Sequence, residues 1–109
     1  MDARQERIAR NEALFREVNE RIQEVNRSLG ADGDADFICE CGDEDCTKPV
    51  TLSLGEYEQA RSDPTHFIIA PGHQVPDVER TVARTERYTI VAKHPPGAAR
   101  IAVEEYPRP

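Results

Sequence analysis

The sequence predicts an α+β fold, in which a long N-terminal helix precedes a small zinc-stapled module with one short helix and a few antiparallel strands. Apolar residues recur at helical spacing near the N-terminus, all three cysteines fall in one short run, and β-branched segments alternate with turn signals beyond it. The expected organisation is a helix over 1–29, an acidic linker over 30–36, a Cys3His metal-binding module over 37–94 and a Pro-rich tail over 95–109.

The composition indicates a single small domain with a modest core. Only 38% of the 109 residues are hydrophobic and Trp is absent, so a structural metal would supplement limited apolar burial. The N-terminal residues lack the apolar core of a signal peptide, and no run approaches the roughly 20 apolar residues of a membrane span. We expect a cytoplasmic protein with reduced thiols and no membrane contact.

The first predicted element is an amphipathic helix over residues 3–29 that ends at Gly30. Its apolar side chains follow the 3-4 spacing of a heptad seam, interrupted by the polar Asn11. The seam comprises Ile8, Phe15, Val18, Ile22, Val25 and Leu29. This seam must be covered by the chain's own module, by a second copy in a coiled coil, or by another protein, and it is the expected partner surface.

The cysteines Cys39, Cys41 and Cys46 form a C-x-C-x4-C run, a grouping that indicates a metal site in a chain with reduced thiols. Zn²⁺ is the expected metal, and one histidine would complete a tetrahedral shell. We favour His73, because the turn dipeptide before it projects it from a short loop, whereas His66 and His94 remain alternatives. A disulfide, a redox-active C-x-C pair and an iron–sulfur site are the competing interpretations.

The charge pattern disfavours nucleic acid as a partner of the cysteine loop. The formal net charge is −7, and residues 30–47 contain seven acidic residues and no basic one. Such a surface repels a phosphate backbone, although an ordinary solvated loop would have the same composition. A basic surface that could bind nucleic acid or an acidic partner instead lies on a predicted hairpin. It comprises Arg80, Arg84, Arg87 and Lys93.

The module itself is predicted from turn and capping signals. A capping box at Ser53 starts a helix that ends before Asp63-Pro64, and residues 66–70 form the most apolar run, expected as the central strand. Residues 78–83 and 88–93 alternate as a hairpin does, and residues 101–103 would add an edge strand.

The pattern F-x-C-E-C-G-x3-C at residues 37–46, followed by E-Y-E at 56–58 and P-G-H at 71–73, resembles a group of small, mostly uncharacterised bacterial proteins. The helix around residues 11–20 is also similar to theirs. The resemblance spans about residues 8–93 and implies that the cysteines and the Pro-Gly-His segment belong to one module.

The predicted function is that of a small cytosolic zinc-binding interaction or regulatory protein, in which the metal is structural and the long helix docks on a partner or self-associates. We expect no enzymatic activity, because the motifs of zinc hydrolases, zinc deaminases, nucleotide-binding loops and serine hydrolases are all missing. The alternatives are a nucleic-acid binder that uses the hairpin arginines, and a thiol-based redox or metal sensor.

Overall fold

The computed structural model describes residues 2–30, 33–46, 48–76 and 78–93. It confirms the predicted fold class of a long N-terminal helix followed by a small α+β module with antiparallel strands. The elements, in chain order, are α1 (Ala3–Ser28), β1 (Asp34–Ile38), β2 (Pro49–Ser53), α2 (Leu54–Arg61), β3 (His66–Ile69), β4 (Glu79–Arg84) and β5 (Thr89–Lys93). Neither helix in these ranges combines the length and apolar character that crossing a bilayer requires. The predicted residue 101–103 strand lies outside the described residues.

The strands form two small antiparallel sheets. β1 pairs with β2, and the second sheet has the order β3-β5-β4. The predicted hairpin is therefore present as β4 and β5, but the expectation that residues 66–70 form the central strand was wrong. β5 takes the centre because it pairs with both of its neighbours, leaving β3 at an edge. The two sheets meet at Glu40, whose backbone N–H donates to the Ile68 carbonyl at 2.9 Å.

The core lies between the two sheets and α2. At its centre the rings of Phe37 and Tyr57 stack with centroids 4.4 Å apart and an interplanar angle of 13°. Helix α2 starts as predicted, because the Ser53 hydroxyl accepts from the Glu56 N–H and the Glu56 carboxylate accepts from the Ser53 N–H. Strand β1 already begins at Asp34, within the segment expected as a linker, because it pairs with β2 over its whole length.

Helix α1 docks on the module through a face other than the apolar seam. The docked face pairs two small residues with four polar ones, and its buried residues are Ala9, Glu12, Ala13, Arg16, Asn19 and Gln23. Within the seam, Val18, Val25 and Leu29 are exposed, and the remaining residues are half-buried at the margin of the contact. The small alanines allow the helix backbone to approach the module closely. The polar side chains reach buried polar groups of the module that need hydrogen-bond partners.

Charged residues on the docked face are paired inside the protein. The carboxylates of Glu12 and Glu79 both contact the Lys93 ammonium, and the Glu79 contact measures 2.8 Å. Burial raises the pKa of Glu12 well above its ordinary value. The guanidinium of Arg16 lies 4.4 Å from the Phe67 ring centroid. Lys93 therefore belongs to an interior ion cluster, which corrects its predicted place on a basic hairpin surface.

Gly42 brings the cysteine loop directly against α1. Its φ is +83°, a left-handed conformation that favours glycine. A Cβ atom at this position would lie 2.7 Å from Ile8 Cγ2 and 2.9 Å from Glu12 Cγ. The Asn11 side chain donates to the Gly42 carbonyl at 3.1 Å, so the loop is also hydrogen-bonded to the helix. The turn after Cys41 and the docking of α1 therefore depend on one glycine.

Gly42→Ala is expected to lower the free energy of unfolding by about 2–5 kcal/mol, because it combines left-handed strain of about 1–2 kcal/mol with a steric clash of about 1–3 kcal/mol. Urea denaturation followed by circular dichroism measures the loss. Gly33→Ala is the matched control, since Gly33 has φ +95° but nothing within 4 Å of the added Cβ. Equal losses in the two variants would contradict the close contact between Gly42 and α1.

Candidate metal centre

The three cysteines lie on the segment that follows β1. Cys39 extends the β1–β2 pairing by one residue, since its N–H donates to the Lys48 carbonyl at 3.0 Å. The chain then reverses at Gly42, and the Cys46 N–H donates to the Asp43 carbonyl at 2.9 Å. This pair of turns folds the loop back on itself and directs all three sulfurs to one side.

His73 reaches the same place from β3. Immediately after this strand, the Ala70 N–H donates to the Cys39 sulfur at 3.1 Å. The Pro71-Gly72 turn follows, closed by a 3.1 Å hydrogen bond from the His73 N–H to the Ala70 carbonyl. The segment directly after β3 thus supplies both an N–H donor to one sulfur and the turn that presents the imidazole.

The four side chains converge as one potential ligand set. One ligand atom from each of Cys39, Cys41, Cys46 and His73 lies within 4.8 Å of the other three. The His73 Nδ1 atom is 3.6 Å from both the Cys39 and the Cys46 sulfur. Bonds of about 2.3 Å to sulfur and about 2.0 Å to nitrogen in a tetrahedral zinc site place S and N about 3.5 Å apart. The spacing is therefore compatible with a single bound metal ion.

The two buried thiols interact with each other. The hydrogen bond between Cys39 and Cys41 lowers the pKa of Cys41 to about 5, and the same bond together with burial raises the pKa of Cys39. The N–H of Asp43 also favours the Cys41 thiolate. Cys41 is therefore the more acidic of the two thiols, and a cation at this position would displace the thiol protons.

The other histidines do not join this cluster within the described residues. The His66 imidazole lies 3.3 Å from the Asp63 carboxylate, beside the end of α2. His94 lies outside the described residues. Of the histidines that the sequence offered as a fourth ligand, the described structure places His73 with the three sulfurs.

Glu40, between two of the cysteines, is fully buried and supports the loop from within. Its carboxylate accepts hydrogen bonds from the Ile68 N–H at 2.9 Å, from the Asn19 amide at 2.8 Å and from the Tyr57 hydroxyl at 3.3 Å. Burial raises its pKa to about 7. These bonds connect the cysteine segment to β3, α1 and α2 together.

Asn19 makes the closest link between α1 and the cysteine strand. Its amide oxygen accepts from the Ile38 N–H at 2.8 Å, and its amide nitrogen donates to the Ile38 carbonyl at 2.8 Å. One side chain therefore pairs with both backbone groups of the residue before Cys39, as a neighbouring strand would.

Asn19 was not among the predicted functional residues, because the apolar spacing of α1 points to a different face of the helix. A usable signal was nevertheless present. The polar residues at positions 12, 16, 19 and 23 repeat with a 4-3-4 spacing, which places them along one face of a helix. A polar stripe of this kind indicates docking on polar groups as well as exposure to solvent.

No protein-family model, curated protein or solved structure matches the chain. The metal centre is therefore inferred from the geometry of four side chains, those of Cys39, Cys41, Cys46 and His73.

Asn19→Ala is expected to cost about 2–4 kcal/mol of unfolding free energy, because it leaves the Ile38 backbone groups without partners and removes one donor to Glu40. Thermal or urea unfolding measures this loss. Asn26→Ala is the matched control, because the Asn26 amide contacts the Ile22 carbonyl within α1, and we expect a change within about 0.5 kcal/mol. Equal effects of the two substitutions would contradict the anchoring role of Asn19.

Proposed function

We propose that the chain is a small zinc-binding interaction protein whose metal is structural. The observation that supports this proposal is the convergence of Cys39, Cys41, Cys46 and His73 from two separate segments. The metal would join the loop after β1 to the turn after β3, and the module would present α1 to a partner.

Zn²⁺ suits this donor set better than the alternatives. Three sulfurs and one imidazole nitrogen form a closed tetrahedral set that is common for structural zinc. The ligands of a polynuclear iron–sulfur cluster are spread around several iron atoms. These four donor atoms all lie within 4.8 Å of one another, which favours a single ion. The acidic loop residues Asp43, Glu44 and Asp45 are exposed beside the site and favour the approach of a cation.

A structural role follows from the absence of an open coordination position in such a set. A catalytic zinc usually has three protein ligands and a bound water, but here four side chains would fill the shell. Glu40, the nearest candidate for an acid or base, directs its carboxylate to Asn19, Ile68 and Tyr57. These features favour a non-enzymatic protein.

The interaction role is supported by the outward face of α1, where Val18, Val25 and Leu29 remain exposed. Three free cysteines agree with a location in the cytoplasm, where thiols stay reduced. The nucleic-acid alternative finds less support, because Lys93 is buried and Arg87 contacts the Asp34 and Glu56 carboxylates.

The test compares His73→Ala with His66→Ala in reduced, purified protein. We expect about one zinc per wild-type chain by elemental analysis, and a loss of zinc affinity of more than about 100-fold in His73→Ala, measured by chelator competition. The thermal midpoint should fall in parallel, because metal binding contributes to folding. His66→Ala should retain the wild-type affinity.

Wild-type protein that binds no zinc, or that loses zinc without any change in its thermal midpoint, would overturn the proposed structural role. Equal zinc affinity in the two histidine variants would remove His73 from the ligand set.

A further inference from the structure

The four residues of the candidate metal centre differ in their access to solvent. Cys39 and Cys41 are buried, with exposed fractions of 0% and 4%, whereas Cys46 and His73 are only half-buried. Among the three sulfurs, the one of Cys46 is therefore the most accessible to a small molecule in solution. A reagent that attacks sulfur is expected to react there first.

Cys41 is the cysteine best placed to react with Cys46 afterwards. The two side chains hydrogen-bond to each other, and their sulfur atoms lie within 4.8 Å of one another. A disulfide bond of about 2.0 Å requires the sulfurs to approach by less than about 3 Å. Residues 43–45, which join the two cysteines, are exposed, so this surface loop can supply the movement.

Cys39, by contrast, is held in place by hydrogen bonds to two other segments. Its N–H donates to the Lys48 carbonyl at 3.0 Å, and its sulfur accepts from the Ala70 N–H at 3.1 Å. A disulfide between Cys39 and Cys41 would close a tight and strained ring, because a single residue separates them. Cys39 is therefore expected to remain a thiol when the other two cysteines react.

The surroundings of Cys46 favour an uncharged oxidant. Residues 43–45 place three carboxylates in a row just before this cysteine. Such a surface disfavours the approach of anionic oxidants and of anionic disulfides such as oxidised glutathione. Hydrogen peroxide is small and uncharged, so the acidic residues do not exclude it.

We propose that hydrogen peroxide oxidises Cys46 and that the product forms a disulfide with Cys41, which releases the metal. The proposal rests on the proposed function in taking zinc as the metal that is released. It adds a redox control to the same site. Once the disulfide has formed, only Cys39 and His73 remain as ligands, and two donors hold zinc far more weakly than four.

The reaction has two steps. In the first, the O–O bond of the peroxide breaks, one oxygen bonds to the Cys46 sulfur as a sulfenic acid, and hydroxide leaves. In the second, the Cys41 thiolate attacks that sulfur, the S–S bond forms, the S–O bond breaks, and a second hydroxide leaves. Two thiolates and one hydrogen peroxide thus give one disulfide and two hydroxide ions.

The same reaction is expected to affect α1 through Gly42. This glycine lies between Cys41 and Cys46, and its carbonyl accepts a hydrogen bond from the Asn11 side chain at 3.1 Å. Closing the disulfide and losing the metal should disturb this turn, which contacts the helix. We therefore expect the thermal midpoint to fall on oxidation and to recover on reduction in the presence of zinc.

The test treats the reduced, zinc-loaded full chain with about one to five equivalents of hydrogen peroxide. A chromogenic chelator should detect the release of about one zinc per chain. Thiol titration under denaturing conditions should fall from three thiols to one, and peptide mapping should find a crosslink between Cys41 and Cys46. Dithiothreitol followed by zinc should restore the three thiols and the bound metal.

Trapping with dimedone, which reacts with sulfenic acids, identifies the cysteine that is oxidised first. Early in the reaction, Cys46 is expected to carry at least about tenfold more label than Cys39. Label mainly on Cys39, or a crosslink that includes Cys39, would overturn the proposed steps. Zinc that stays bound, or three thiols that survive an excess of peroxide, would overturn the redox control itself.

Cys46→His is the matched variant, because it removes the reactive sulfur and offers an imidazole as the fourth donor. Peroxide should release zinc from it at least about tenfold more slowly than from wild type, whereas His66→Ala should release zinc at the wild-type rate. Equal rates in wild type and Cys46→His would contradict the role of Cys46. Dimedone trapping uses wild type alone, so it decides the proposal even if Cys46→His fails to fold.

Zinc content measured before and after oxidation keeps the two proposals separable. Wild type that binds zinc and retains it in peroxide contradicts the redox control and leaves the structural zinc intact. Wild type that binds no zinc contradicts the proposed function. A crosslink between Cys41 and Cys46 in that metal-free protein would still support the pairing of these two cysteines.

Discussion

Three sulfurs and one imidazole nitrogen, brought together from the ends of two different strands, are the contact on which the rest of the module depends. The loop after β1 and the turn after β3 meet there, although Cys46 and His73 are 27 positions apart in the chain. A bound ion would close that loop and offset part of its conformational entropy. Without one, Cys39 and Cys41 remain buried beside each other, and their mutual hydrogen bond favours the thiolate of Cys41.

The docking of α1 follows from the same loop. The cysteine segment exposes backbone groups and the buried Glu40 towards the helix, so the helix meets them with Asn11, Asn19 and other polar side chains. Its charges are neutralised in pairs inside the protein, as for Glu12 with Lys93. Because polar residues and two alanines cover the inner face, Leu14, Val18 and Val25 remain exposed on the other side of α1.

The features that the sequence predicted are those encoded locally or by distinctive chemistry. The Ser53 capping box and the β4–β5 hairpin each depend on a few neighbouring residues, and the metal site was predicted from the ligand chemistry of three cysteines and one histidine. The docked face of α1 and the interior position of Lys93 depend on partners distant in the chain, so neither the apolar spacing of the helix nor the alternation along the hairpin identified them. The central position of β5 likewise reflects pairing that no local pattern specifies.

X-ray absorption at the zinc edge of the reduced, purified protein tests the central claim most directly. It reports the elements bound to the ion and their distances. Our account predicts a first shell of three sulfurs at about 2.3 Å and one nitrogen at about 2.0 Å. A shell made of oxygen and nitrogen alone, or a preparation without zinc that keeps its full stability, would contradict the account.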